Sequence, residues 1–195
     1  MKFNSSLRYE DFIGHQTFLY GETNTKKTYY TAKFIQFLIE SRHLDPKEIS
    51  ILDFAPPQSI IKQVKIGGKI KEFYKDSIKC NNLFFKGEII PPRLKAKNIK
   101  ELYDNACKNF KKTYSILNLF IENPTSVLII NDISIYLHIG NKNLLLEAIE
   151  KSNTFFGNSY YGSSIKSDFA TLFSLREKRL VEYLMKKVEF CYFTE

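Results

Sequence analysis

The chemistry of this chain is concentrated in one segment: Thr17-Phe18-Leu19-Tyr20-Gly21-Glu22-Thr23-Asn24-Thr25-Lys26-Lys27-Thr28. It is an apolar run, then a polar loop that opens on glycine and closes on Lys-Thr, then a helical pattern. A loop of this layout can wrap phosphate groups with its backbone N–H donors. The helix N-terminus behind it adds a favourable dipole and further unpaired donors. A lysine placed like Lys27 reaches the outer phosphates, and a hydroxyl placed like Thr28 binds Mg²⁺.

Such a loop needs a strand before it and a helix after it, and the hydrophobic pattern provides both. A strand is expected over 17–20 and a helix over 27–42. A second strand, 49–54, is stopped by Pro56-Pro57. The basic stretch 58–79 has Gly67-Gly68 inside it and no clear period; helix, hairpin and flexible insertion all stay open. A third strand is expected at 83–85, and Pro91-Pro92 interrupts the chain again. Ile99, Leu102, Tyr103, Ala106, Phe110, Tyr114, Leu117 and Ile121 recur at three- and four-residue steps and share one helix face. Asn98 with Glu101 is an N-cap arrangement, and Asn123-Pro124 ends that helix. Val127-Leu128-Ile129-Ile130, bounded by Asn131-Asp132, reads as a central strand buried on both faces. There follow a short helix over 142–151, a strand over 154–156 and a polar loop over 157–167. The last helix is expected to begin near Ser174, with Ser174-Leu175-Arg176-Glu177 as a capping box, before a closing strand over 188–193. Alternating strands and helices predict an α/β fold: a three-layer α/β/α domain with a mostly parallel sheet, covering 1–195 with a possible insertion at 58–80.

The segment from Gly21 to Thr28 resembles the phosphate loop, or Walker A motif, of the P-loop NTPases. Gly21 matches the first glycine, Lys27 the lysine and Thr28 the hydroxyl, at the family's spacing. Lys26 departs, standing where the second glycine belongs, and the loop has no interior glycine or proline. Without glycine, positive φ costs more. The resemblance implies nucleotide contacts along Gly21, Glu22, Thr23, Asn24, Thr25, Lys26, Lys27 and Thr28. It also implies an acidic residue at the end of a downstream apolar strand, where it holds the Mg²⁺ water shell. Asp132 takes that place, which makes Thr28 and Asp132 the implied metal residues. The glutamate that often follows this aspartate is replaced by Ile133. The order of elements resembles the RecA-like ATPase core, whose water-activating carboxylate follows the second strand. Asp53 is then the implied catalytic base, with Glu88 as second choice, and Asn158 stands where a γ-phosphate sensor would. The stretches Pro92-Arg93-Leu94, 129–137 and 158–162 also resemble those of small archaeal P-loop proteins. The family reading implies ATP or another NTP with Mg as cofactors. It points to a small ATPase or nucleotide-dependent switch, acting with a protein partner or by self-association. The alternatives are a degenerate loop that binds without hydrolysis, and a small-molecule kinase. Arg93 and the 159–168 loop would supply the kinase's second pocket and lid.

Composition narrows the classes further. The chain has 195 residues, 44% hydrophobic and 26% charged, which suits one folded domain rather than disorder. No run of eighteen apolar residues occurs, and Met1-Lys2-Phe3-Asn4-Ser5-Ser6 lacks a leader's apolar core, so a cytoplasmic protein with no membrane partner is expected. Of 29 basic residues only five are arginines: Arg8, Arg42, Arg93, Arg176 and Arg179. Lysine-rich composition alongside abundant Asn, Ile, Phe and Tyr is what an AT-rich genome encodes. The net charge of +8 therefore supports a nucleic-acid partner only weakly. Three basic stretches, 62–79, 95–112 and 176–187, would have to share one face to bind it. Arg176 and Arg179 fit either an arginine finger or a solvated helix face. Cys80, Cys107 and Cys191 form no metal or CxxC spacing and read as buried or half-buried free thiols. His15, His43 and His138 have no nucleophile or metal partner at a recognisable spacing, and no GxSxG or HExxH occurs.

Overall fold

All six strands of the main sheet run the same way, because a helical crossover separates almost every successive pair. In the computed structural model, which describes residues 1–3 and 7–195, these are β1 (Gln16–Gly21), β2 (Ile49–Asp53), β5 (Asn81–Asn82), β6 (Val127–Asn131), β7 (Thr154–Tyr160) and β8 (Phe190–Thr194). Their spatial order is β5-β2-β6-β7-β1-β8, every pair parallel. A separate antiparallel hairpin, β3 (Ser59–Ile61) and β4 (Val64–Ile66), lies between β2 and β5 in sequence. The helices are α1 (Lys27–Glu40), α2 (Ile70–Phe73), α3 (Pro92–Lys95), α4 (Ile99–Glu122), α5 (Ser134–Leu137), α6 (Lys142–Glu150) and α7 (Thr171–Met185). Asn4, Ser5 and Ser6, part of the stretch read above for a leader, lie outside the described residues. No described helix is long and apolar enough to cross a membrane.

Alternation along the strands builds the layers. In β6, Val127 and Ile129 face one side, Leu128 and Ile130 the other. The first side packs on Ala32, Phe34, Ile35 and Leu38 of α1, with Leu19, Phe156 and Ile70. The second packs on Ile116, Leu117 and Phe120 of α4, Leu145 and Ile149 of α6, and Val181 and Leu184 of α7. Phe34 stacks on Phe156 with ring centroids 4.6 Å apart, which ties α1 to the centre of the sheet. The fold is therefore α/β with helices on both faces of a parallel sheet, as the sequence pattern predicts.

Several boundaries differ from the sequence expectation, each for a non-local reason. The strand expected at 83–85 is only Asn81–Asn82, held to β2 through Ser50 and Ile51. The chain then leaves the sheet, and Phe84 is 81% exposed. β7 continues to Tyr160, so residues 157–160, read above as loop, are buried strand paired with β1. α7 begins at Thr171 after Ala170, and no capping box forms. Ser174 Oγ instead accepts from Arg93, and Glu177 is a buried ion-pair partner. The uncertain 58–79 stretch is the hairpin, α2 and a 3-10 turn. Cys107 is exposed rather than buried; Cys80 is buried, Cys191 half-buried, and all three are free.

Gly21 ends β1 at φ +156 beside β8, and a Cβ there would lie 2.4 Å from the Thr194 carbonyl oxygen. Forcing a methyl into that contact is overpacking. Gly21→Ala is expected to lower unfolding stability by about 1–3 kcal/mol, read as a shifted urea midpoint at unchanged slope.

Candidate functional site

The loop at 21–28 leaves β1 and enters α1 at the carboxyl edge of the sheet. This is the edge where open parallel sheets bind their ligands. Its residues 23–29 wall a cavity that is completed by Ala55, Gln58, Gly67, Asp132, Asn158 and Tyr160, among others. Among the described residues, the backbone N–H groups of 24–28 donate to no protein acceptor. The first turn of α1 adds its own unbonded donors. Lys26 caps α1 in the left-handed region (φ 60, ψ 13), and Asn24 is also at φ 60. The loop thus takes the glycine-type conformation without the glycine, at a cost of roughly 1–2 kcal/mol per residue of this kind.

Lys27 folds back over the loop. Its Nζ donates to the Gly21 carbonyl at 3.0 Å, to the Glu22 carbonyl, and to Thr25 Oγ1 at 3.1 Å. Burial pushes this amine down to about 8, against the charges of Asp132 and Glu22 that hold it up. Partial burial opposes charge on Glu22, but hydrogen bonds from Ser164 Oγ and the Ser163, Ser164 and Thr23 N–H groups outweigh it and draw the carboxyl below its usual range. Gly162 sits against that carboxylate with no room for a Cβ. Glu22 therefore fastens the 162–164 segment onto the loop rather than facing the cavity.

Beneath the loop lies a polar network built on Asn131. Its Oδ1 accepts from Thr28 Oγ1 (3.1 Å) and Asn158 Nδ2 (2.9 Å). Its Nδ2 donates to Asp53 Oδ1 (2.8 Å) and the Gly68 carbonyl (3.1 Å). Asn158 Nδ2 also reaches Thr31 Oγ1, and its Oδ1 accepts from the Asp132 N–H at 3.1 Å. Asp132 sits at φ +61 just past β6. Burial pushes its carboxyl up, opposed by the Ser134 hydroxyl at 2.6 Å and by Lys27 and His138. Thr28 gives its hydrogen to Asn131, which leaves its oxygen lone pairs available. A hydroxyl and a carboxylate are hard oxygen donors, the kind of partial set Mg²⁺ takes when phosphates and waters complete its shell. Among the described residues, no group of three or more His, Cys, Asp or Glu side chains is gathered to hold a metal by itself.

The implied base residues are placed otherwise. Asp53 Oδ2 accepts from the Ile70 N–H (2.8 Å), and Oδ1 accepts from Asn131 and from the Ala55 N–H (3.3 Å). Lys69 Nζ stands 3.7 Å away. Burial raises this carboxyl, and those four groups pull it back. Asp53 borders a different cavity, beside Lys69 and Phe85, and braces the 55–70 segment. Glu88 is exposed, and its carbonyl accepts from Lys112. The structure thus gathers Thr23 to Thr28, Asp132 and Asn158 around one cavity. It does not bring Asp53 or Glu88 to it.

Sequence reading missed three groups. Asn131 carries no sequence signal beyond its place next to Asp132. Tyr29 and Phe73, 37% and 41% exposed with ring centroids 6.2 Å apart, flank the cavity mouth. His138 lies with Nε2 2.6 Å from Glu177 Oε2, and Arg93 NH2 lies 2.9 Å from the same oxygen, which gathers an imidazole and a guanidinium on one buried carboxylate. The one available signal was Ser134 and His138 at i, i+4 after Asp132, a spacing that puts both on one helix face. Arg93 and Arg176 are not spare fingers: Arg93 is paired with Glu177, and Arg176 donates to the His138 and Gly140 carbonyls. No protein-family model matches this chain, and no curated protein matches it either.

The network makes two expectations. Asn131→Ala strands buried partners on both sides and should cost about 2–3 kcal/mol in chemical denaturation. Lys26→Gly removes left-handed strain but loosens the unfolded chain, so its stability should stay within about 1 kcal/mol of wild type.

Proposed function

We propose that the chain is a Mg²⁺-dependent nucleotide-binding protein of the P-loop kind, with a RecA-like sheet, working as a nucleotide-dependent switch or slow ATPase. One observation carries the reading. Unbonded loop N–H donors, Lys27, Thr28 and Asp132 converge on a single cavity at the carboxyl edge of a parallel sheet. β7 lies between β1 and β6, so the Lys27 and Asp132 strands stand roughly 9–10 Å apart at two strand spacings. That gap suits a phosphate and a metal between them, with Asn158 two residues before the end of the strand in the middle. In this reading Lys27 leaves the loop carbonyls for the outer phosphates, Thr28 and Asp132 hold Mg²⁺ with its waters, and Tyr29 and Phe73 border the base. The Mg²⁺ supplies charge neutralisation between the phosphates.

Among the described residues, no carboxylate free of other bonds lines the cavity, since Asp53 is committed to Asn131 and to the Ile70 and Ala55 N–H groups and Asp132 to Ser134. Turnover by water should therefore be slow, below about 1 s⁻¹ against a typical enzyme median near 10 s⁻¹. A second reading, a small-molecule kinase, is favoured by a separate cavity of about 550 Å³ beside Arg93.

The test is calorimetric titration of ATP and GTP with and without Mg²⁺. Magnesium-dependent binding should be lost in Lys27→Ala; no binding of either nucleotide would sink the reading. The Lys27 amine gives a further check. With its pKa near 8 in the free protein, it is partly neutral above that pH, and a bound phosphate recharges it. Titrations at pH 8.5 in buffers of different ionisation enthalpy should show uptake of roughly half a proton or more per nucleotide. Affinity should fall as pH rises through 8 to 9.5, and Lys27→Arg should flatten that dependence.

A further inference from the structure

The 550 Å³ cavity shares the wall residue Tyr160 with the loop cavity. Its walls include Arg93, Tyr160, Lys166, Ser174, Leu175 and Lys178. A narrow passage of about 70 Å³ adjoins it, bounded by Thr23, Asp132, Ser134, His138, Arg93 and Tyr160. Tyr160 borders the loop cavity, the passage and the large cavity alike. Asp132 borders the first two, and Arg93 the last two. The three spaces are therefore neighbours, sharing walls from the phosphate loop, past Asp132 and Tyr160, to the large cavity.

We propose that the large cavity holds a small hydroxylated organic anion that accepts a phosphoryl group from the nucleotide, its reacting hydroxyl reaching into the passage beside His138. The proposal rests on the nucleotide binding proposed above and deepens its kinase reading by naming the second substrate. The volume lies within the 300–1,000 Å³ range usual for small-molecule sites. The charge is right for an anion. Glu177 balances Arg93 at 2.9 Å, which leaves Lys166 and Lys178 against Asp168 on the walls. The hydroxyls of Ser174 and its neighbours suit a polyhydroxylated body.

His138 supplies the chemistry. It is 1% exposed, and its Nε2 faces the Glu177 carboxylate at 2.6 Å. Hydrogen held on Nε2, the nitrogen nearest the carboxylate, leaves the lone pair on Nδ1. Both ring nitrogens and Glu177 Oε2 are buried and make no well-aligned hydrogen bond among the described residues, so the 2.6 Å contact is electrostatic and Nδ1 is unpartnered. Glu177 lies against the ring, so the imidazolium that forms when Nδ1 takes a proton stands beside a carboxylate that it shares with Arg93. In the transfer step the acceptor oxygen bonds to the γ-phosphorus. The bond from that phosphorus to the bridging oxygen breaks, and the nucleoside diphosphate leaves with the electron pair. The hydroxyl proton passes to His138 Nδ1.

The experiment uses the whole chain with three probes: glycerate, glycerol 3-phosphate and glucose 6-phosphate. ATP binding is measured first by calorimetry, then binding of each probe with and without Mg-ATP, then transfer of γ-³²P into the probe. The expected result is that at least one probe binds and becomes labelled. Leu175→Trp, a change at a half-exposed wall position, should abolish probe binding while ATP affinity stays within about twofold, the spread expected of independent sites. His138→Gln should keep ATP and probe binding but lower labelling by about 10²-fold, the lower end for loss of a general base. A protein that binds ATP but none of the probes overturns this proposal and leaves the nucleotide reading standing. So does a probe bound equally well by Leu175→Trp. Failure of ATP to bind at the first step is failure of the nucleotide reading itself, and the transfer proposal goes with it.

Discussion

The carboxamide of Asn131 is the joint on which the carboxyl edge of this sheet depends. It is buried, and each of its two polar atoms makes two hydrogen bonds: to Thr28 of α1, Asn158 of β7, Asp53 of β2 and the backbone of Gly68. A buried amide with every bond made is rigid, because any displacement strands a partner in a medium without water. Four segments that approach from different directions thus share one register. Aspartate here would lose both donated bonds, and leucine would lose all four.

This polar layer rests on an apolar one. Below it, Leu128, Ile129 and Ile130 of β6 and Phe155 and Phe156 of β7 are fully buried between helices on either face. The strands are therefore fixed by packing along most of their length and by hydrogen bonds only at the edge where chemistry is possible. That division is what lets the edge carry costly features. Left-handed Asn24, Lys26 and Asp132, a desolvated Lys27 and a buried Arg93–Glu177 ion pair with His138 against it all lie at or beyond the ends of β1 and β6 or on the helices that cover them. A parallel sheet this thoroughly covered can absorb several such costs, each of order 1–3 kcal/mol.

What the sequence disclosed divides along the same line. Elements defined by local periodicity were legible: the strand, loop and helix at 16–40, the long helix with its Asn98 cap, and the wholly apolar β6. Features whose cause lies far along the chain were not. Residues 157–160 look like a loop, since Gly, Asn and Ser are poor strand formers, yet pairing with β1 on one side makes them strand. Ser174 and Glu177 have capping-box spacing, but Glu177 is drawn inward by Arg93, 84 positions earlier. The hairpin at 59–66 turns on Lys62 and Gln63, both at positive φ, without the Asn-Gly signal that normally announces such a turn. Among the residues that line the candidate cavity, Lys27, Thr28, Asp132 and Asn158 could be picked by pattern and family resemblance. Asp53 could be found as a strand-end acid, but its commitment to the Ile70 and Ala55 backbone could not be read from type or spacing.

The contact between Gly21 and Thr194 sets the local stability of the whole loop. β8 is the outermost strand on its side, bordered beyond, among the described residues, by 1–3 through the Lys2–Phe193 bridge. Thr194 Oγ1 also stands 2.8 Å from Thr25 Oγ1, so the end of this strand is the floor under the first half of the loop. Peripheral strands fray at lower free energy than central ones. The loop inherits that fraying from one side while Asn131 holds it from the other. Amide exchange along 21–25 should therefore follow the opening of the sheet's rim, and exchange at 27–31 the opening of its centre, which makes one short loop the seam between two cooperative units.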